Sequence, residues 1–164
     1  MNKLYAPWRE GYITDDMPKK KNRSCVFCDA VSSFYDERHF VLKRYEHTLV
    51  LLNIYPYNAG HLMIIPQKHV ADITDLSKVE RNELIYVLGE SMHVLRKVLK
   101  PDGINSGINS GTAAGASIIE HLHVHVVPRW AGDTNFMPVI AQTKHISFDL
   151  TRIYREIKKA FDCP

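Results

Sequence analysis

Three histidines occupy alternate positions in the run His121-Leu122-His123-Val124-His125. Successive side chains of a strand point to opposite faces. The spacing therefore predicts three imidazoles on one surface, about 6 to 7 Å apart, with Leu122, Val124 and Val126 turned into a core. A surface strand with polar residues outward is the plain alternative, but nine histidines among 164 residues make that row an improbable draw. Two chemistries suit it. Neutral imidazoles can hold Zn²⁺ and leave a fourth position for a nucleophilic water. Alternatively one ring nitrogen, unprotonated near neutral pH, attacks phosphorus and later departs as a good leaving group. The second chemistry needs phosphate-binding groups nearby. Asn109, Ser110, Gly111, Thr112, Gly115 and Ser117 supply them, in a loop whose backbone N–H groups and hydroxyls suit an oxyanion.

The elements that would position these residues follow from periodicity. Residues 40–42 and 48–52 read as a β-hairpin, and 62–66 is another apolar run opened by Asn58, Ala59 and Gly60. After Thr74 the period changes to that of one helix face, with Leu84, Val87, Leu88, Met92, Leu95, Val98 and Leu99 mostly three or four residues apart. Ser77 and Glu80 have capping-box form at its start, and Pro101-Asp102-Gly103 stops it. Further strands are expected at 104–108 and 118–127, and a basic amphipathic helix at 151–161. The pattern predicts an α+β fold, an antiparallel sheet of about five strands with one long central helix and a C-terminal helix. Residues 1–24 carry little periodicity and read as an irregular N-terminal arm, leaving 25–164 as a single domain.

Composition narrows the class. At 45% hydrophobic and 24% charged residues the chain is globular, and it has no apolar run long enough to span a bilayer and no signal-type N-terminus. A cytoplasmic protein without membrane partners is expected. The net charge of +3 is too slight for a nucleic-acid-binding surface, and Lys19, Lys20, Lys21 and Arg23 read as a solvated loop. Three cysteines do not make a disulfide framework. Cys25 and Cys28 form a C-x-x-C pair, which suits a metal clip; two buried free thiols are the alternative, and a redox dithiol lacks the surrounding βαβ pattern.

The segment His121-Leu122-His123-Val124-His125-Val126-Val127 resembles the H-φ-H-φ-H-φ-φ signature of the histidine triad (HIT) family of nucleotide hydrolases and transferases. The resemblance extends over Leu51-Leu52-Asn53-Ile54 and Gly60-His61-Leu62-Met63-Ile64-Ile65-Pro66, and so covers about residues 25–129. The run from Asn53 to His61, Glu120, and Pro128-Arg129-Trp130 with Gly132-Asp133 and Asn135-Phe136 are most similar to the bacterial diadenosine tetraphosphate phosphorylase branch. One departure stands out: Gly115-Ala116-Ser117 lacks the glutamine common at this place, and one extra residue separates it from the triad.

The resemblance implies a set of roles. His123 attacks the α-phosphorus to give a nucleotidyl-histidine, His125 protonates the leaving oxygen, and His61 stands behind them with His121 in a four-histidine set. Asn53 holds the ribose, while Asn109, Gly115 and Ser117 contact phosphate. Dinucleoside polyphosphates are the implied substrates, cleaved by water or by phosphate, with an adenine nucleotide and a homodimer expected. A phosphoramidate hydrolase, or a nucleotide-binding module without turnover, remains open. Bacterial triad proteins also pair such cysteines with histidines at the positions of His69 and His121, which implies a structural Zn²⁺ held by Cys25, Cys28, His69 and His121 and no organic cofactor.

Overall fold

The computed structural model describes residues 25–134, 137–141 and 148–162. The expected arm, its basic cluster, Asn135, Phe136 and Cys163 lie outside the described residues. The chain opens with a short helix α1 (Val26–Ser32), then forms β1 (Val41–Arg44), β2 (Thr48–Leu52) and β3 (Leu62–Pro66). The long helix α2 (Lys78–Leu99) precedes β4 (Gly103–Ile108) and β5 (Val124–Arg129), and α3 (Met137–Ala141) and α4 (Leu150–Asp162) follow. The five strands form one antiparallel sheet in the order β1-β2-β3-β5-β4. This is the α+β architecture expected.

Each face of the sheet has its own cover. Val50, Leu52, Leu62, Ile64, Val124 and Val126 point to one side and pack with Leu84, Val87, Val94 and Leu95 of α2 and Ile153, Ile157 and Phe161 of α4. Leu49, Leu51 and Ile65 point to the other and pack with Phe27 and Ala30 of α1. The ladder pairs Met63 with His125, which sets His125 on the α1 side of the sheet. Helix α1 covers only the first part of that side. Beyond it the β5–β4 region is open, and Gly107, the partner of His125 across the ladder, has no side chain to fill it.

Local sequence explains the long helix. Ser77 accepts from the Glu80 N–H while the Glu80 carboxylate accepts from the Ser77 N–H, the full capping box. The two hydrogen bonds with Ser77 hold the pKa of the Glu80 carboxyl below its ordinary value. Lys100 in a left-handed conformation ends the helix ahead of Pro101. Glu83 on α2 accepts from the His47 N–H and the Thr48 hydroxyl, both at 2.8 Å, and so pins the β1–β2 turn to the helix.

Two expectations need correction. The histidine strand was expected over 118–127, but the ladder begins only at Val124; at Leu122 the backbone N–H donates to the Val70 carbonyl instead, at 2.6 Å. His121 and His123 therefore precede the strand, although all three rings remain on the α1 side of the sheet, with Phe27 packed on those of His121 and His123. Helix α1 was not expected at all. Its seven residues carry too little periodicity to register, and an isolated helix of that length is not stable in water.

Candidate functional site

His125 sits in β5, half-buried, with His123 buried just before the strand and His61 fully buried just before β3. Their rings are close. The centroids of His123 and His125 are 4.9 Å apart, and those of His61 and His125 are 5.1 Å apart. The fourth expected member, His121, is turned away, its ring 5.1 Å from that of His69.

Hydrogen bonds fix the tautomers of this group. The Tyr57 N–H donates to His61 Nδ1 at 3.1 Å, so the proton of neutral His61 is on Nε2. That Nε2 lies 2.9 Å from His125 Nδ1, which must accept, and the His125 proton is then on its own Nε2. The His125 Nε2 has no protein partner among the described residues. His123 has the opposite arrangement: its Nδ1 lies 2.9 Å from the His121 carbonyl and donates to it, which leaves Nε2 with a bare lone pair. A nucleophilic nitrogen and a ring N–H donor thus stand side by side.

Electrostatics keep the supporting rings neutral. His61 is pushed down to about 3, first by burial and then by the neighbouring His125 and His123. His125 is also lowered, by burial and by His123. The Tyr57 ring lies 4.8 Å from His61 and 5.6 Å from His125 and closes the group from the side.

The open region forms a cleft of about 310 Å³ whose lining includes Tyr57, Asn105, Ser106, Asn109, His125 and Arg129. At its far end Asp133 binds the Arg129 guanidinium at 2.6 and 2.9 Å and also accepts from Asn58 at 2.6 Å. Arg129 in turn donates to Asn105 at 2.9 Å. These polar groups are held in place before any ligand arrives.

The expected substrate residues divide. Asn109 lines the cleft, whereas Gly115 and Ser117 lie on the exposed loop around the Thr112–Ala114 turn and do not line it. Asn53 is buried and turned inward: its Oδ1 accepts from the Tyr55 N–H at 2.8 Å and its Nδ2 lies 3.3 Å from His61 Nδ1. Tyr57, Asn105 and Arg129 were not assigned roles from sequence. Tyr57 stands inside the Asn53–His61 run already noted, but only the folded backbone shows that its N–H meets His61.

A second constellation lies behind His121. Cys28 Sγ is 3.1 Å from His69 Nδ1 and 3.6 Å from His121 Nδ1; Cys25 Sγ is 3.4 Å from His121 Nδ1; and the two Nδ1 atoms are 3.3 Å apart. A tetrahedral Zn²⁺ with bonds of about 2.3 Å to sulfur and about 2.0–2.1 Å to nitrogen sets S···N near 3.5 Å and N···N near 3.4 Å, so the four atoms fit. His121 Nε2 donates to the Pro66 carbonyl at 2.9 Å, which leaves Nδ1 as a lone pair facing the thiols. All four expected residues converge, and burial of His121 lowers its basicity in keeping with a ligand. His121 therefore stands with the cysteines rather than with the cleft.

A model of the HIT domain matches residues 36–132. The chain belongs to the HIT family. It is 38% identical over 151 residues to an AP-4-A phosphorylase of Mycobacterium tuberculosis, covering 89% of this chain and 77% of that one. Over 93 residues it is 32% identical to an asymmetrical bis(5'-nucleosyl)-tetraphosphatase of Schizosaccharomyces pombe, covering 57% of this chain and 50% of that one. Among solved structures, a zinc-bound histidine triad family protein from Mycobacterium smegmatis superposes with a TM-score of 0.69 at 31% identity, covering 85% of this chain and 94% of that one. No helix among the described residues is long and apolar enough to cross a membrane.

Proposed function

We propose that this HIT-family enzyme cleaves dinucleoside polyphosphates of the diadenosine tetraphosphate type through a covalent nucleotidyl-His123. The observation that carries this reading is the paired tautomer arrangement, with a bare Nε2 on His123 beside a partnerless Nε2–H on His125. In the first step His123 Nε2 bonds to the α-phosphorus and the bridging P–O bond breaks. The ATP leaves as its phosphate anion, its departing oxygen accepting a hydrogen bond from the His125 Nε2–H, which keeps its proton. In the second step an oxygen of inorganic phosphate attacks the same phosphorus, the P–N bond breaks, and ADP is released. His61 orients His125 and passes no charge of its own, because burial keeps it neutral. Asn109 and Arg129, on the cleft wall, receive the polyphosphate.

Phosphate is preferred to water as acceptor because the AP-4-A phosphorylase relative covers more of the chain, at higher identity, than the tetraphosphatase. Incubation with diadenosine tetraphosphate decides the point. ADP and ATP appearing only when phosphate is added supports phosphorolysis, AMP and ATP without it supports hydrolysis, and no product removes the enzymatic reading.

A structural Zn²⁺ on Cys25, Cys28, His69 and His121 belongs to the same proposal, supported by the four converging atoms and the zinc-bound relative. When bound, such an ion fastens α1 to the segment that precedes β5. A homodimer completes it. Strand β4 is an exposed sheet edge, and Val79, Ile85 and Tyr86 lie exposed on α2.

A further inference from the structure

The side chain of His123 has two rotatable bonds, yet its Nε2 must face one direction for attack. The bond from Nδ1 to the His121 carbonyl selects a tautomer, but a single neutral hydrogen bond favours one arrangement only several-fold. The rest of the constraint is steric. The His123 ring has His125 at 4.9 Å and 77° as one neighbour and the ring of Phe27 at 5.3 Å and 53° as another. Phe27 also meets His121 edge-on at 5.4 Å, so one aromatic ring touches both the residue whose carbonyl sets the tautomer and the residue that carries it.

Phe27 is itself held unusually firmly for a residue of a seven-residue helix. Its helix has no side-chain N-cap bond. At the C-terminal end the Arg44 guanidinium donates to the carbonyls of Ala30, Val31 and Ser33 at 2.8–3.0 Å, replacing the missing helical partners. At the N-terminal end Cys25 and Cys28 flank Phe27 and enter the cluster with His69 and His121. Between these anchors Phe27 is buried against Leu49, Leu51 and Ile65.

We infer that Phe27 is a positioning residue for His123: wedged against the imidazole by α1, it keeps the ring in the orientation in which Nδ1–H reaches the His121 carbonyl and Nε2 carries the lone pair. This rests on the covalent reading above only for its kinetic consequence. The residue touches no reacting atom and acts through His123 alone.

The test compares wild type with Phe27→Leu, which removes the ring, Phe27→Met, which removes it with an unbranched side chain able to adapt to the space should the first variant fold poorly, and Phe27→Tyr, which retains it. Long-range ¹H–¹⁵N spectra of the nucleotide-free protein read the His123 tautomer. Wild type and Phe27→Tyr are expected to show the Nδ1–H form alone, and the other two an average of both forms. With diadenosine tetraphosphate and phosphate, kcat of the ring-less variants is expected to fall about 10- to 100-fold while KM stays within about twofold and zinc content matches wild type. A single unchanged tautomer in a folded ring-less variant overturns the inference, as does a kcat loss that follows zinc loss. An inactive wild type would sink the proposed reaction, and the spectra would still decide the role of Phe27.

Discussion

At the scale of single residues the site depends on which nitrogen carries which proton. His123→Ala should abolish turnover, by at least about 10³-fold, while nucleotide affinity measured by calorimetry changes only a few-fold; turnover near wild type would exclude covalent attack by this ring. His61 yields a pH test. Its folded value is pushed down to about 3 from the ordinary 6.5, so between those values the unfolded chain binds more protons than the folded one. Stability should therefore decline as pH falls through that window, with a contribution from this ring of up to about 1.4 kcal/mol per pH unit. Urea titrations at pH 7 and pH 5 should show a smaller decline for a folded His61→Asn protein, and an identical decline would contradict the assignment. The triad and the C-x-x-C pair are local patterns that the sequence displays directly, whereas joining Cys25 and Cys28 to His69 and His121 rested on the family resemblance, because those residues meet only through the fold. The inward turn of Asn53 and the service of Tyr57 were not legible in the sequence, because each depends on backbone atoms meeting across a loop.

Elements proved readable where periodicity was long. The α2 stripe and its capping pair foretold both limits of the helix within a residue or two, and the β1–β3 runs came out nearly as expected because alternate residues face two different cores. The start of β5 was misplaced because alternation continues through His121 although the ladder does not, a tertiary choice made by the Leu122 N–H and the His121 ring. Helix α1 exists through its anchors rather than its propensity. Two substitutions probe these elements. Ser77→Ala removes an acceptor from the capping box and should cost about 1 kcal/mol, read as a lower urea midpoint at unchanged slope. Gly60→Ala should destabilise by about 1–2 kcal/mol, because its φ of 74° is left-handed and an added methyl meets Leu99; no change in the midpoint would mean that the β2–β3 connection relaxes freely.

For the whole molecule, one sheet carries two sites on the same side, and the backbone of His121 joins them. Its ring faces the thiols and its carbonyl faces His123. Cys25→Ser should lower bound zinc and thermal stability together, checked by metal analysis and calorimetry; full zinc occupancy in that variant would exclude Cys25 as a ligand. The open β4 edge should be where two copies meet, so Ile108→Asp should shift sedimentation equilibrium from dimer toward monomer, and a monomeric wild type would contradict this. All of the chemistry, however, rests on one bond. The most direct measurement is mass analysis of peptides from protein incubated with diadenosine tetraphosphate without added phosphate, where only the first half-reaction runs, and quenched under alkaline conditions. The expected result is a single adenylyl group, acid-labile, on the peptide at His123. ATP release with no adduct there, or an adduct on another histidine, would contradict the mechanism.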